Sequence, residues 1–92
     1  MQFDWDNDKA ASNLDKHGVS FEEASTVFYD YLSRTVSDPF APSGEQRFLT
    51  LGMSAASKVL MVVHTETVED HIRIISARPA TNAERMKYEH YR

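Results

Sequence analysis

Residues 47–80 limit the fold of this chain more than any other stretch, because three strands and two short turns can be read there in unbroken succession. At its centre Val59 to Val63 is apolar without interruption, which points to a strand buried on both faces in mid-sheet. Before it, Leu49, Leu51 and Met53 alternate with Phe48, Thr50 and Gly52, so the strand from residue 47 has a plainly apolar side and a mixed one. Turns fall at 54–57 and 66–70, and a regular second hairpin sets His64 opposite, or nearly opposite, His71. From His71 onward, strict alternation puts His71, Arg73, Ile75 and Ala77 on one face and Ile72, Ile74, Ser76 and Arg78 on the other. The two arginines then point apart, unless a bulge near Ser76 re-aims one of them. The stretch holds four of the ten Lys and Arg residues and two of the four His residues, so a sheet core and a cationic surface share one segment. The mixed face is expected to gather these cations beside His64.

The flanks supply helices. Phe3 and Trp5 alternate with polar neighbours as a short half-buried strand does. Asp6 then caps a helix over 7–17, with Ala10, Ala11 and Leu14 inward and Lys16 and His17 near its negative end. Gly18 stops it, and Val19 folds back onto it. Ser20 and Glu23 form a capping box that opens a helix over 21–31, whose core stripe is Phe21, Ala24, Val27, Phe28 and Tyr31. Residues 33–37 read as an edge strand and 38–44 as a loop rich in Pro and Gly. Thr81 and Glu84 make a second capping box, opening a last helix over 82–91 with Ala83, Met86 and His90 along one stripe. The order β-α-α-β-β-β-β-α is that of a small α+β domain, an antiparallel sheet with helices packed mainly on one face, filling 1–92 as a single unit.

With 41% hydrophobic and 11% aromatic residues the chain is globular rather than disordered, and without Cys it has neither a disulfide framework nor a thiolate metal site. No apolar run approaches the roughly 20 residues that cross a bilayer, and the N-terminus lacks the order of a signal peptide, so a cytoplasmic protein is expected. The net charge of −4 argues against a nucleic-acid partner until its distribution is considered. Residues 1–45 hold three Lys or Arg against nine Asp or Glu, whereas 46–92 hold seven against five. One half repels a polyanion, or docks a basic partner, while the other tolerates RNA.

Read in order, the sequence resembles the BrnT family, the toxin half of type II toxin–antitoxin pairs, which is similar to the RelE-type ribonuclease fold. The resemblance rests on F-D-W-D with K-A, then S-N-L-x-K-H-G-V-S-F-E-E-A, R-F-L-T-L-G, V-V-H-T, and I-R-I-I-S-A-R-P-A-T with E-R at the start of the last helix. These words cover nearly the whole chain in family order. They imply a bacterial endoribonuclease that inhibits translation and is held inactive by a BrnA-like antitoxin, in a hetero-oligomer that reaches operator DNA only through the antitoxin. The implied chemistry needs no metal or cofactor: a 2′-OH attacks its own phosphate, so the protein removes a proton, stabilises charge and protonates the leaving oxygen.

Suitable groups are present. Arg73 and Arg78 are fork-shaped phosphate donors, and His64, His71 or His17 are proton-transfer candidates, with Arg73, Arg78 and His64 as the catalytic set. Arg47, Lys58, Lys16 and His17 are the candidate RNA contacts. Each has a plainer reading: Arg73 as a solvated sheet residue, Arg78 as the partner of Glu84, His17 as a helix-end residue. Two other functions suit the same residues. One is a catalytically weak binding module that acts as antitoxin partner and transcriptional co-repressor. The other is a small metal-dependent hydrolase built on His64, His71 and Glu66.

Overall fold

The computed structural model describes residues 1–66 and 69–90. In chain order they form β1 (Gln2–Trp5), α1 (Asn7–His17), α2 (Phe21–Thr26) with a 3-10 turn (Val27–Tyr29), β2 (Arg34–Ser37), β3 (Phe48–Met53), β4 (Val59–Glu66), β5 (His71–Pro79) and α3 (Asn82–His90). The predicted order of elements is the observed one. Part of the 66–70 turn and the predicted helix end at Tyr91 lie outside the described residues. No helix is long and apolar enough to cross a membrane among those described.

One sheet in the order β1-β5-β4-β3-β2 holds all five strands. β2 through β5 form an antiparallel meander, while β1 joins the outer edge of β5 in parallel. The sheet is therefore mixed, not wholly antiparallel: alternation identifies a strand but does not say which partner a remote N-terminal strand will join.

The caps form as the sequence requires. Asp6 accepts from the backbone N–H groups of Asp8 and Lys9, and Gly18 takes the left-handed conformation at φ 69° while its N–H donates to the Leu14 carbonyl. Ser20 caps α2, but Glu23 does not close the box; its carboxylate instead accepts from the Ser54 hydroxyl at 2.7 Å, tying α2 to the β3–β4 turn. Val19, Phe21, Ala24 and Val27 pack on Leu60, Val62, Ile72, Ile74 and Ala77, so α1, α2 and the 3-10 turn cover one face of the sheet. Tyr31 leaves the predicted stripe because the helix tightens at Val27 and ends, and its ring is 93% exposed.

Two further corrections concern which groups face inward. In α1 the buried residue is Asn13, whereas Ala11 and Leu14 face solvent. Asn13 Nδ2 donates to the carbonyls of Val19 (3.0 Å) and Ala77 (2.8 Å), and the Ala77 N–H donates to Asn13 Oδ1 (3.0 Å). β1 pairs with β5 only as far as Ile74, and the Asn13 amide continues the ladder where β1 has ended. In β3 the mixed side, not the apolar one, lies under the helices. Gly52 is the reason: a Cβ there would stand 2.8 Å from both Ser33 Cβ and Val27 Cγ1, so only glycine admits this close approach.

Replacing Asn13 by Ala should cost about 3 kcal/mol, since it strands buried backbone donors and acceptors. Gly52→Ala should cost about 1–3 kcal/mol by overpacking. Urea unfolding followed by circular dichroism measures both.

Candidate functional site

The face of the sheet away from the helices bears Asp4, His71, Arg73 and Arg78, and a bulge brings the two arginines together on it. Val63 pairs with Ser76 but His64 pairs with Ile74, so β5 holds one extra residue at Ile75. Alternation resumes one step out of phase beyond it. Thr65 opposite Arg73, Val63 opposite Ser76 and Met61 opposite Arg78 then share one face, while Ile72, Ile74 and Ala77 share the other. Arg73 and Arg78 are brought to the same face, roughly 13 Å apart along the strand at 3.3 Å per residue.

Asp4 stands beside Arg73 in the parallel pairing, on the same face. Its Oδ1 accepts from Arg73 Nη1 at 2.9 Å, and its Oδ2 lies 2.6 Å from His71 Nε2. Desolvation raises the Asp4 carboxyl, but the hydrogen bonds from His71 and Arg73, and then their charges, outweigh it and hold it below the usual carboxylate value. All three side chains stay open to solvent, at 44% for Asp4, 33% for His71 and 50% for Arg73. Arg73 commits one amino group to Asp4 and keeps further N–H donors for an anion. The signal for Asp4 was present in F-D-W-D, where it alternates against Phe3 and Trp5.

Arg78 is held more firmly. Its two terminal nitrogens donate to Glu84 Oε1 and Oε2 at 2.7 and 2.9 Å, and Nη1 also reaches the Pro79 carbonyl at 3.3 Å. Glu84 accepts from the Thr81 N–H as well, closing the capping box of α3. The Arg78 hydrogen bond is the main reason the Glu84 carboxyl falls to about 2, opposed by burial and aided by Thr81, and Glu84 in turn raises Arg78.

His64 is not brought to this site. It occupies the helix-covered face, wholly buried between Phe28, edge-on at 4.8 Å, and Phe48, stacked at 5.9 Å. Its Nε2 lies 2.7 Å from Thr50 Oγ1, which lies 2.7 Å from Thr35 Oγ1, so the row links β4 to the edge strand β2. Burial lowers its pKa to about 4 against a smaller opposing effect of a backbone hydrogen bond at Thr65, leaving a neutral imidazole at pH 7. The expected pairing with His71 does not form: β4 runs on to Glu66, opposite Ile72, so His64 stands opposite Ile74, and the extra residue at Ile75 leaves the two rings on opposite faces. The mixed side of β3 lies under the helices, so it does not gather the cations. No cluster of three His, Cys, Asp or Glu able to hold a metal occurs among the described residues.

The remaining candidates are dispersed. Arg47 pairs with Glu45 at 3.0 Å near the 38–46 loop. Lys16 and His17 line a cleft of about 170 Å³ with Lys9, beside Ile75 and Ser76. Lys58 lies at the far end of the sheet, in a groove between the β3–β4 turn and α3.

A family model described as the ribonuclease toxin BrnT of type II toxin–antitoxin systems matches residues 5–84 of this chain. The crystal structure of the Brucella abortus ribonuclease toxin BrnT is similar over 89% of this chain and 99% of that one, with a TM-score of 0.65 and 24% sequence identity. That likeness is one of fold. No curated protein sequence matches.

The burial of His64 sets a pH dependence. Its folded pKa lies below the unfolded value of 6.5, so the unfolded chain takes the proton first. Stability from this residue is complete above pH 6.5 and declines as pH falls toward 4, by about 3 kcal/mol. Urea titrations across this range should show that decline in the wild type and a flatter curve in His64→Gln.

Proposed function

The chain belongs to the BrnT family of ribonuclease toxins of type II toxin–antitoxin systems, and from that premise we propose that it cuts RNA without a metal, at the sheet face bearing Asp4, His71 and Arg73. The observation that carries this reading is the Asp4 carboxylate, which holds both an imidazole and a guanidinium on an open surface.

Asp4 fixes the His71 ring through Nε2, leaving Nδ1 as the acceptor for the proton of a ribose 2′-OH. The freed 2′ oxygen attacks the adjacent phosphorus, and the bond to the 5′ oxygen breaks. A 2′,3′-cyclic phosphate and a 5′-OH end result, with water at this open face protonating the leaving oxygen. Arg73 turns its uncommitted N–H groups to the equatorial phosphoryl oxygens, where negative charge grows. Arg78, too distant along β5 to share that phosphate, serves the next one. His64 has a packing role in this scheme and His71 takes the proton-transfer role.

Cutting RNA in this way slows translation in the cytoplasm, and a BrnA-like antitoxin that also binds operator DNA restrains it in a hetero-oligomer. The bidentate hold of Glu84 on Arg78 favours a second reading, in which the chain is a binding module and co-repressor with little catalysis. The double variant Arg73→Ala, Arg78→Ala separates the two. The enzyme loses toxicity by that change, whereas the module keeps promoter repression and had no toxicity to lose.

Antitoxin-free protein should cleave RNA in the presence of EDTA and leave cyclic phosphate ends. His71→Ala should slow cleavage by roughly 10²–10⁴-fold with the fold retained, and induction of the wild type should arrest growth. Normal growth of cells accumulating folded protein would sink the catalytic reading.

A further inference from the structure

Beside the sheet face lies a groove that the catalytic scheme does not use. α3 crosses the end of the sheet and touches the body through few residues. Tyr88 is its buried anchor, with its hydroxyl donating to Asp30 Oδ2 at 2.6 Å, while Met86 is 70% exposed. The space left between α3 and the β3–β4 turn is a groove of about 780 Å³. Met53, Val59 and Pro79 give it apolar walls, Met86 faces them from the helix, and Lys58 and Arg85 stand on its rim.

The charges set this groove apart from the arginines of the sheet face, although Lys9 and Lys16 in the cleft beside α1 likewise make no ion pair among the described residues. Arg47, Arg73 and Arg78 are each paired with a carboxylate. Lys58 and Arg85 make no ion pair among the described residues; Arg85 donates only to the neutral Asn82 Oδ1, at 3.2 Å. Two uncommitted cations therefore flank an apolar cleft large enough for a nucleotide. Pro79 and Ala80, which follow Arg78 directly, line the same cleft and place it next to the phosphate-facing strand. Glu89 also lines it, one helical turn beyond Arg85, so an anion belongs toward the Lys58 and Asn82 end.

We propose that this groove is a subsite for single-stranded RNA. In it Lys58 and Arg85 hold the phosphates of a nucleotide flanking the one that is cut, and the base lies between Met86 and the apolar floor of Met53 and Val59. The inference rests on the ribonuclease reading of the chain and adds the position of the substrate strand. Neither the sheet face nor the capping box needs these residues, so their role shows in substrate binding.

The test is fluorescence anisotropy with a labelled oligoribonucleotide whose 2′-OH groups are replaced by hydrogen at the cleavable steps, titrated between 0.05 and 0.3 M salt. The double variant Lys58→Gln, Arg85→Gln should bind about 25-fold more weakly at 0.1 M salt, with a log–log salt slope shallower by about 1.4, the loss of two phosphate contacts on a single strand. Met86→Ala should weaken binding without changing that slope. Lys87→Gln, on the same helix but outside the groove, should match the wild type. All four positions are exposed, and thermal melting verifies the fold.

Unchanged affinity and slope in the double variant overturn the proposal. So does a double variant that keeps RNA and loses the antitoxin, since the groove then serves the protein partner. Groove-dependent binding by a wild type that cuts nothing leaves the subsite standing and removes the catalytic reading.

Discussion

The far half of β5 depends on how Asn13 takes over where β1 ends. β1 pairs with β5 only as far as Ile74, and on that edge the buried Ala77 backbone beyond it would be left without partners. The Asn13 amide answers with one donor group and one acceptor directed at Ala77 and a second bond to Val19. It is a one-residue substitute for a strand, and it also fastens α1 and the chain leaving it to the sheet. Between the end of β1 and this amide, the bulge against β4 moves Arg78 to the face of Arg73. Asn13 therefore anchors the half of β5 that carries Arg78.

On the proposed reading, an acidic chain would meet RNA by arranging its charges rather than by carrying an excess of cations. The arginines of the sheet face are pinned by Asp4 and Glu84, which orient them at the expense of local positive potential. Cations without an ion pair among the described residues lie elsewhere, Lys58 and Arg85 at the end of the sheet and Lys9 and Lys16 beside α1. The pattern suits a surface in which orientation and attraction are handled by different residues, with the long-range field too weak to recruit polyanions indiscriminately.

Much of this architecture could be read from local signals. Caps, the Gly18 stop, the strand alternation and both capping-box positions are determined by a few adjacent residues, and the elements form where those signals stand. The failures share a cause, which is that a face becomes interior only through distant partners. Leu49, Leu51 and Met53 form the more apolar side of β3, yet the mixed side is covered, because Gly52 admits the side chains of Val27 and Ser33 and Thr50 satisfies its hydroxyl inside the core. His64 follows Thr50 inward by register, which excludes it from the open face. The choice between His64 and His71 turned on one extra residue in β5, a possibility that the alternation around Ser76 allowed but could not decide. Asp4 was legible as an outward residue of β1, but its neighbours depended on a parallel register that no nearby residue encodes.

Glu84 serves two structures with one carboxylate: it accepts from the Thr81 N–H in the first turn of α3 and binds both terminal nitrogens of Arg78. Whatever draws Arg78 toward an external anion also releases a group that keeps the helix end closed. Occupancy of the sheet face and order in α3 are then thermodynamically linked, and the linkage is reciprocal. A partner that clamps the start of α3 in its capped form weakens anion binding at Arg78 without touching it. A partner that loosens the same turn strengthens it. Control of this surface can therefore be exercised from the helix, at a distance from Asp4 and Arg73.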